Sequence, residues 1–158
     1  VAKYLPRVLK ENSIEAREKL AWADTMAGIC LSNAGASIPH PLGEIIGGVC
    51  EKIAHGQTLA IVYPEFVRYE WRKNIKKFSK VAKIFEPGLE GSSDDVAAKK
   101  MYEVIVKFLE DIGMRFYLED FNVEDEKLQE IISSPVLNVL PMAPKEDLVT
   151  ILNNSFRR

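Results

Sequence analysis

SSDDVAAKKMYEVIVKFLEDIG, residues 92–113, carries the marks of a helix at both ends and along its length. Ser92, Ser93, Asp94 and Asp95 supply a cap and first-turn acids, where hydroxyl and carboxylate oxygens satisfy free backbone N–H groups and the helix dipole favours negative charge. Met101, Ile105, Phe108, Leu109 and Ile112 return at intervals of three and four, so they share one face. Gly113 is the residue type that closes a helix. The same punctuation recurs outward from this stretch in both directions.

Towards the N-terminus, the pattern Ile75, Phe78, Ala82, Phe85 predicts a helix stopped at Pro87-Gly88, and a further helix is predicted from His55, with Leu59, Ile61 and Val62 buried and Pro64 kinking or dividing it. Pro39 and Pro41 bracket His40, and a proline at a first helical position suits a helix from about Pro41 to Cys50. Gly43 and Gly47 lie four apart on one face of it, where something packs against bare backbone. Asn12, Ser13 and Glu15 announce a long helix whose stripe is Ala16, Leu20, Ala23, Ala27, Cys30 and Ala34, small residues that permit close approach of another helix, before Gly35 stops it. Tyr4, Leu5, Val8 and Leu9 are at helical spacing from the first turn. Towards the C-terminus, Asn122 and Asp125 start a short helix through Leu128, Ile131 and Ile132, ended by Ser134-Pro135. Pro144 at its first position, with Glu146 and Asp147, starts the last. Only Phe116 to Phe121 alternates as a strand does, and it is too short to pair alone. The sequence therefore specifies an all-α bundle of about seven helices.

The chain's 158 residues make one ordinary domain with enough length for a core. Lys plus Arg number 21 against 23 for Asp plus Glu, so no net field favours nucleic acid or a membrane surface. The basic run Arg68, Arg72, Lys73, Lys76, Lys77, Lys80 and Lys83 follows helical spacing opposite an apolar face, as a solvated surface does. Thr25 to Gly43 is uncharged, but Ser32, Asn33, Pro39, His40 and Pro41 interrupt it, so it reads as a buried segment of a soluble core rather than a membrane span. Cys30 and Cys50 lie in apolar surroundings without metal-type spacing, which suits buried thiols in a reducing compartment. A cytoplasmic protein without nucleic-acid or membrane partners is the expectation.

No nucleophile elbow, glycine-rich phosphate loop or paired-cysteine motif is present. The chemistry-bearing residues that remain are two histidines, His40 and His55, fifteen residues apart. They cannot share a helix face. Only a fold that brings two helix starts together makes them neighbours, and two imidazoles alone do not hold a catalytic metal, which usually takes three protein ligands and keeps one position open. Spacing does not separate a ligand pair from two structural histidines.

The run SNAGASIPHPLGEIIGG (32–48), preceded by Ala27-Gly28 and followed by AHGQTLAIVYPEF (54–66), resembles the C-terminal helical domain of the iron-containing (group III) alcohol dehydrogenases, relatives of glycerol dehydrogenase and dehydroquinate synthase. EAREKLAWADTMAGICLSNAG (15–35) is similar to that family's long helix leading into the metal segment, and LPMAPKEDLVTIL (140–152) to its C-terminal end. The resemblance implies a dehydroquinate synthase-like all-α fold over residues 1–158. It makes His40 and His55 metal ligands, each offering a neutral imidazole nitrogen to a divalent ion, iron or zinc. In many members a further histidine follows the first ligand by four residues; Glu44 stands there in this chain, so no role is carried over to it.

The family's other two ligands, an aspartate and a histidine four apart on one helix, precede the matched region, as does its dinucleotide-binding domain. The resemblance thus implies the C-terminal domain of a longer NAD- or NADP-dependent enzyme that interconverts a small alcohol with an aldehyde or ketone, with a homodimer as an open expectation. Its N-terminal dinucleotide-binding domain would be absent from this chain, which alone would be inactive. The competing expectation, from a different class, is a stand-alone helical interaction module with structural histidines.

Overall fold

A computed structural model describes residues 1–157. Among the described residues there are nine α-helices, four short 3₁₀ turns and no strand. They form two compact units, residues 1–36 with 71–113, and residues 37–70 with 114–157.

In the first unit, α1 (Tyr4–Glu11) and α2 (Ile14–Ala34) form a hairpin. Asn12 turns the corner in the left-handed region at φ 47°, and Ser13 caps α2 by accepting from the Ala16 amide at 3.4 Å. The stripe that the sequence offers for close helix packing is not used: of α2 only Ala16 is buried, and every residue from Asp24 to Ser37 is exposed. The reason is length. At about 1.5 Å per residue, α1 flanks only the opening third or so of α2. Beyond it apolar residues lie all round the helix, with Trp22, Met26 and Ile29 on one side and Ala23 and Ala27 on another, so no single face is selected for burial. Cys30 is consequently exposed, and the uncharged stretch from Thr25 is buried only from Ile38 onward.

The rest of this unit is α5 (Ile75–Phe85), α6 (Asp94–Lys99) and α7 (Met101–Asp111). The stretch read as one helix over 92–113 bends at Lys100, which separates α6 from α7 and accounts for part of the difference between seven expected helices and nine. α5 packs against both. Ala82, Ala97 and Ala98 are fully buried between them, and the Phe85 and Phe108 rings meet edge to face at 4.8 Å. Lys76, Lys77 and Lys80 of the basic run are exposed.

The second unit holds most of the large buried side chains. It consists of α3 (Pro39–Val49), α4 (His55–Glu70), α8 (Asp125–Ile132) and α9 (Lys145–Asn154). α3 packs on α4 and α8, and α9 on α4 and α8. Leu42, Ile46, Ile61, Val62, Ile131, Leu148 and Leu152 interlock at 0–1% exposure. α4 runs unbroken through Pro64. The strand-like Phe116–Phe121 becomes a 3₁₀ turn over Leu118–Phe121, held by amides of Leu118 and Glu119 that donate to the carbonyls of Ser155 and Phe156. Cys50, at the end of α3, is half-buried, and burial raises its thiol pKa, with Glu130 adding to the rise and Lys127 opposing it.

Candidate metal centre

α3 opens with Pro39, so His40 sits in its first turn, one turn earlier in the helix than Gly43. The His40 amide donates to the Ser37 carbonyl at 3.0 Å. α4 opens on His55 itself. Its start is fixed by side chains: Gln57 reaches back to accept from the Ala54 amide at 3.0 Å, half of a capping box, and the Thr58 hydroxyl donates to the His55 carbonyl at 2.8 Å.

The two starts are side by side because α3 and α4 approach closely at one point. A β-carbon on Gly43 would lie 2.8 Å from Thr58 Oγ1 and 3.0 Å from Leu59 Cδ2. Glycine alone lets the backbone of α3 rest on the buried Thr58. Gly47, which the sequence placed on the same packing face, has nothing within 4 Å of such a carbon, so the close approach is at Gly43 only.

The outcome is that His40 and His55, remote in sequence and on different helices, have ring centroids 4.9 Å apart at an interplanar angle of 87°. Two imidazoles bound at about 2.1 Å to one ion, at angles between about 90° and 110°, stand with centroids about 4.5–5.3 Å apart. The donor type suits a divalent ion, and the ring spacing is compatible with a shared ion as it is with a plain edge-to-face ring contact. The His40 side chain is 34% exposed and His55 is exposed, so the face is open to further donors.

Glu44, one turn along α3, brings Oε1 to 3.2 Å from His40 Nε2. Beside it runs a groove of about 320 Å³, lined by Pro41, Glu44, Ile45, Gly48, Val49, Ser134 and Val136. Cys50 stands at the far end of α3 and does not join the histidines. Among the described residues, no three His, Cys, Asp or Glu side chains are already gathered as a metal-holding group. Thr58 and Gln57, which fix the α4 start, were not legible as site residues; their signals are a glutamine at the third helical position and a small polar residue facing a glycine.

An all-α fold in which two helix starts pair imidazoles defines a helical domain with a candidate metal centre. The Fe-containing alcohol dehydrogenase family's C-terminal model matches residues 1–156, and the chain belongs to that family. It is 30% identical over 114 residues to 1,3-propanediol dehydrogenase of Klebsiella pneumoniae, covering 72% of this chain and 29% of that protein. It is 24% identical over 161 residues to NAD-dependent methanol dehydrogenase of Bacillus methanolicus, covering 98% and 42%. Among solved structures, 1,3-propanediol oxidoreductase superimposes with a TM-score of 0.86 at 24% identity, over 98% of this chain and 42% of that one. NADH-dependent butanol dehydrogenase A of Thermotoga maritima does so with a TM-score of 0.81 at 26% identity, over 99% and 43%. The chain thus spans less than half the length of these relatives.

Proposed function

We propose that this chain is the metal-binding, C-terminal part of an NAD(P)-dependent alcohol dehydrogenase that interconverts a small alcohol with its aldehyde or ketone. The observation that carries the reading is the His40–His55 pair, brought into ring contact by the α3 and α4 starts. His40 and His55 would hold a divalent ion, iron or zinc, as neutral imidazoles. When bound, such an ion supplies Lewis acidity to an alcohol or carbonyl oxygen. The chain's own part is to place the two nitrogens, through Gly43 and Thr58, and to offer an apolar wall beside Glu44 against which a hydrocarbon group can lie. Nicotinamide binding is assigned to the length of the relatives that this chain does not span. Two of those relatives carry NAD or NADH in their names, and every one cited above is called a dehydrogenase or an oxidoreductase.

The test is paired. The chain alone, supplied with NAD(H) or NADP(H), divalent metal and a short alcohol, is expected to give no rate above blank. The protein in its full gene context is expected to oxidise short alcohols and to lose both bound metal and turnover in His40→Ala and in His55→Ala. Full activity with either histidine replaced would overturn the reading.

A further inference from the structure

The reading above uses α3 and α4 and leaves the far part of α2 without a task. Every residue over 24–37 is exposed, although no charged side chain occurs over 25–34. Trp22 is 65% exposed, Ile29 51%, Leu31 48% and Met26 40%. At about 100° per residue, Trp22, Met26 and Ile29 cluster on one side of the helix, and Cys30, Ala27 and Leu31 carry the apolar surface round to the other, an arc of about 200°. A surface helix that lays one face on its own core needs an arc of about 100°. The polar side chains set among these residues turn back onto the helix itself. The Thr25 hydroxyl donates to the Ala21 carbonyl at 3.0 Å, and the Asn33 side-chain amide donates to the Ile29 carbonyl at 2.7 Å. Such bonds keep both donors satisfied when water is removed. Composition, arc width and internal bonding are those of a helix enclosed on more than one side.

A second copy of the chain, related by a two-fold axis, sets one face against the same face and so covers one side only. The relatives offer a larger cover. The fold of 1,3-propanediol oxidoreductase takes in 98% of this chain, yet the match is 42% of that protein, so more than half of its length lies elsewhere.

We propose that residues 22–34 of α2 form an internal docking ridge, seated between apolar elements of the part of the longer protein that this chain does not span. The proposal rests on the reading of the chain as one part of such a protein.

Cys30, within the ridge, is the probe. Its modification by a disulfide reagent is timed by mass spectrometry, in the 158-residue chain in dilute solution and in the protein in its full gene context, with circular dichroism confirming that each is folded. Cys30 is expected to react as an exposed thiol in the chain and about tenfold or more slowly in the full protein. Ile29→Asp is expected to leave the urea midpoint of the chain close to unchanged, because Ile29 there faces water. In the full protein the same variant is expected to lower the midpoint and to return Cys30 to the fast rate, because it buries an unpaired charge. Ile84→Asp, at a side chain 60% exposed on α5, adds the same charge away from the ridge and is expected to do neither.

Equal Cys30 rates in the two proteins overturn the proposal, as does an Ile29→Asp that leaves the full protein unaltered. Protection in the chain alone that rises with its concentration also overturns it, since a second copy is then the cover. Alcohol oxidation separates these results from the wider reading. Turnover by a full protein whose Cys30 is free leaves the dehydrogenase standing without the ridge. A protected Cys30 in a full protein without turnover leaves the ridge standing without the dehydrogenase.

Discussion

Gly43 and Thr58 touch so closely that a single added carbon on the glycine would stand 2.8 Å from the threonine hydroxyl oxygen. Gly43 is one turn from His40, and Thr58 holds the His55 carbonyl, so this contact sets the distance between the imidazoles.

Gly43→Ala is therefore expected to lose stability. Overpacking costs about 1–3 kcal/mol, against a helix-propensity gain of up to about 1 kcal/mol. A net loss of about 1–2 kcal/mol in urea unfolding is expected, together with loss of the proton–proton contact between the two rings by NMR. Gly47→Ala is the control: with nothing within 4 Å of its new carbon, it is expected to gain about 0.5–1 kcal/mol and leave the rings in place.

A second tie holds the unit behind the site. The Tyr69 hydroxyl donates to Asp147 at 2.8 Å, joining α4 to the first turn of α9 across 78 residues of sequence. Tyr69→Phe removes this donor to a charged, partly buried acceptor, and a loss of about 1–2 kcal/mol is expected in denaturant unfolding.

Acid should act on the other unit through Asp94. The buried Ser79 hydroxyl donates to its carboxylate at 2.7 Å, and this bond, with Lys83 at 3.4 Å, lowers the Asp94 pKa below the usual carboxylate value. A carboxyl lowered in the folded state stabilises above its unfolded pKa, near 4, and that stability is lost as pH falls through the folded value. The urea midpoints of the unaltered chain and Ser79→Ala are expected to differ most above about pH 4 and to converge below it. A gap that stays constant to pH 2 would contradict the assignment.

The thiols provide a further check. Cys30 is exposed on α2, whereas Cys50 is half-buried with its pKa raised by burial. A disulfide reagent at neutral pH is expected to modify Cys30 in a fast phase and Cys50 in a slower one. Mass spectrometry of the partly labelled chain locates the first adduct.

Much of this architecture could be read from residue patterns because its signals are local. Serines before α2 and α6, Pro39 at the start of α3 and acids in the first turns of α6, α8 and α9 mark helix starts whatever surrounds them. The placement of His40 and His55 at helix starts was legible in the same way. Their 4.9 Å proximity was not, because it depends on which glycine of α3 meets which residue of α4, and spacing alone gave Gly47 equal standing with Gly43. The small-residue stripe of α2 failed as a guide to burial because periodicity shows which face could be covered, and among the described residues the short α1 packs along only its opening part. The bend at Lys100 carries no glycine or proline to announce it.

The way the two rings are mounted also bears on how such a domain can change over time. Each imidazole rides on the opening turn of a whole helix, and the seam between those helices narrows to one glycine and one threonine. Substitutions on the exposed faces, away from the seam and the packed side chains beneath it, are expected to leave the ring spacing alone.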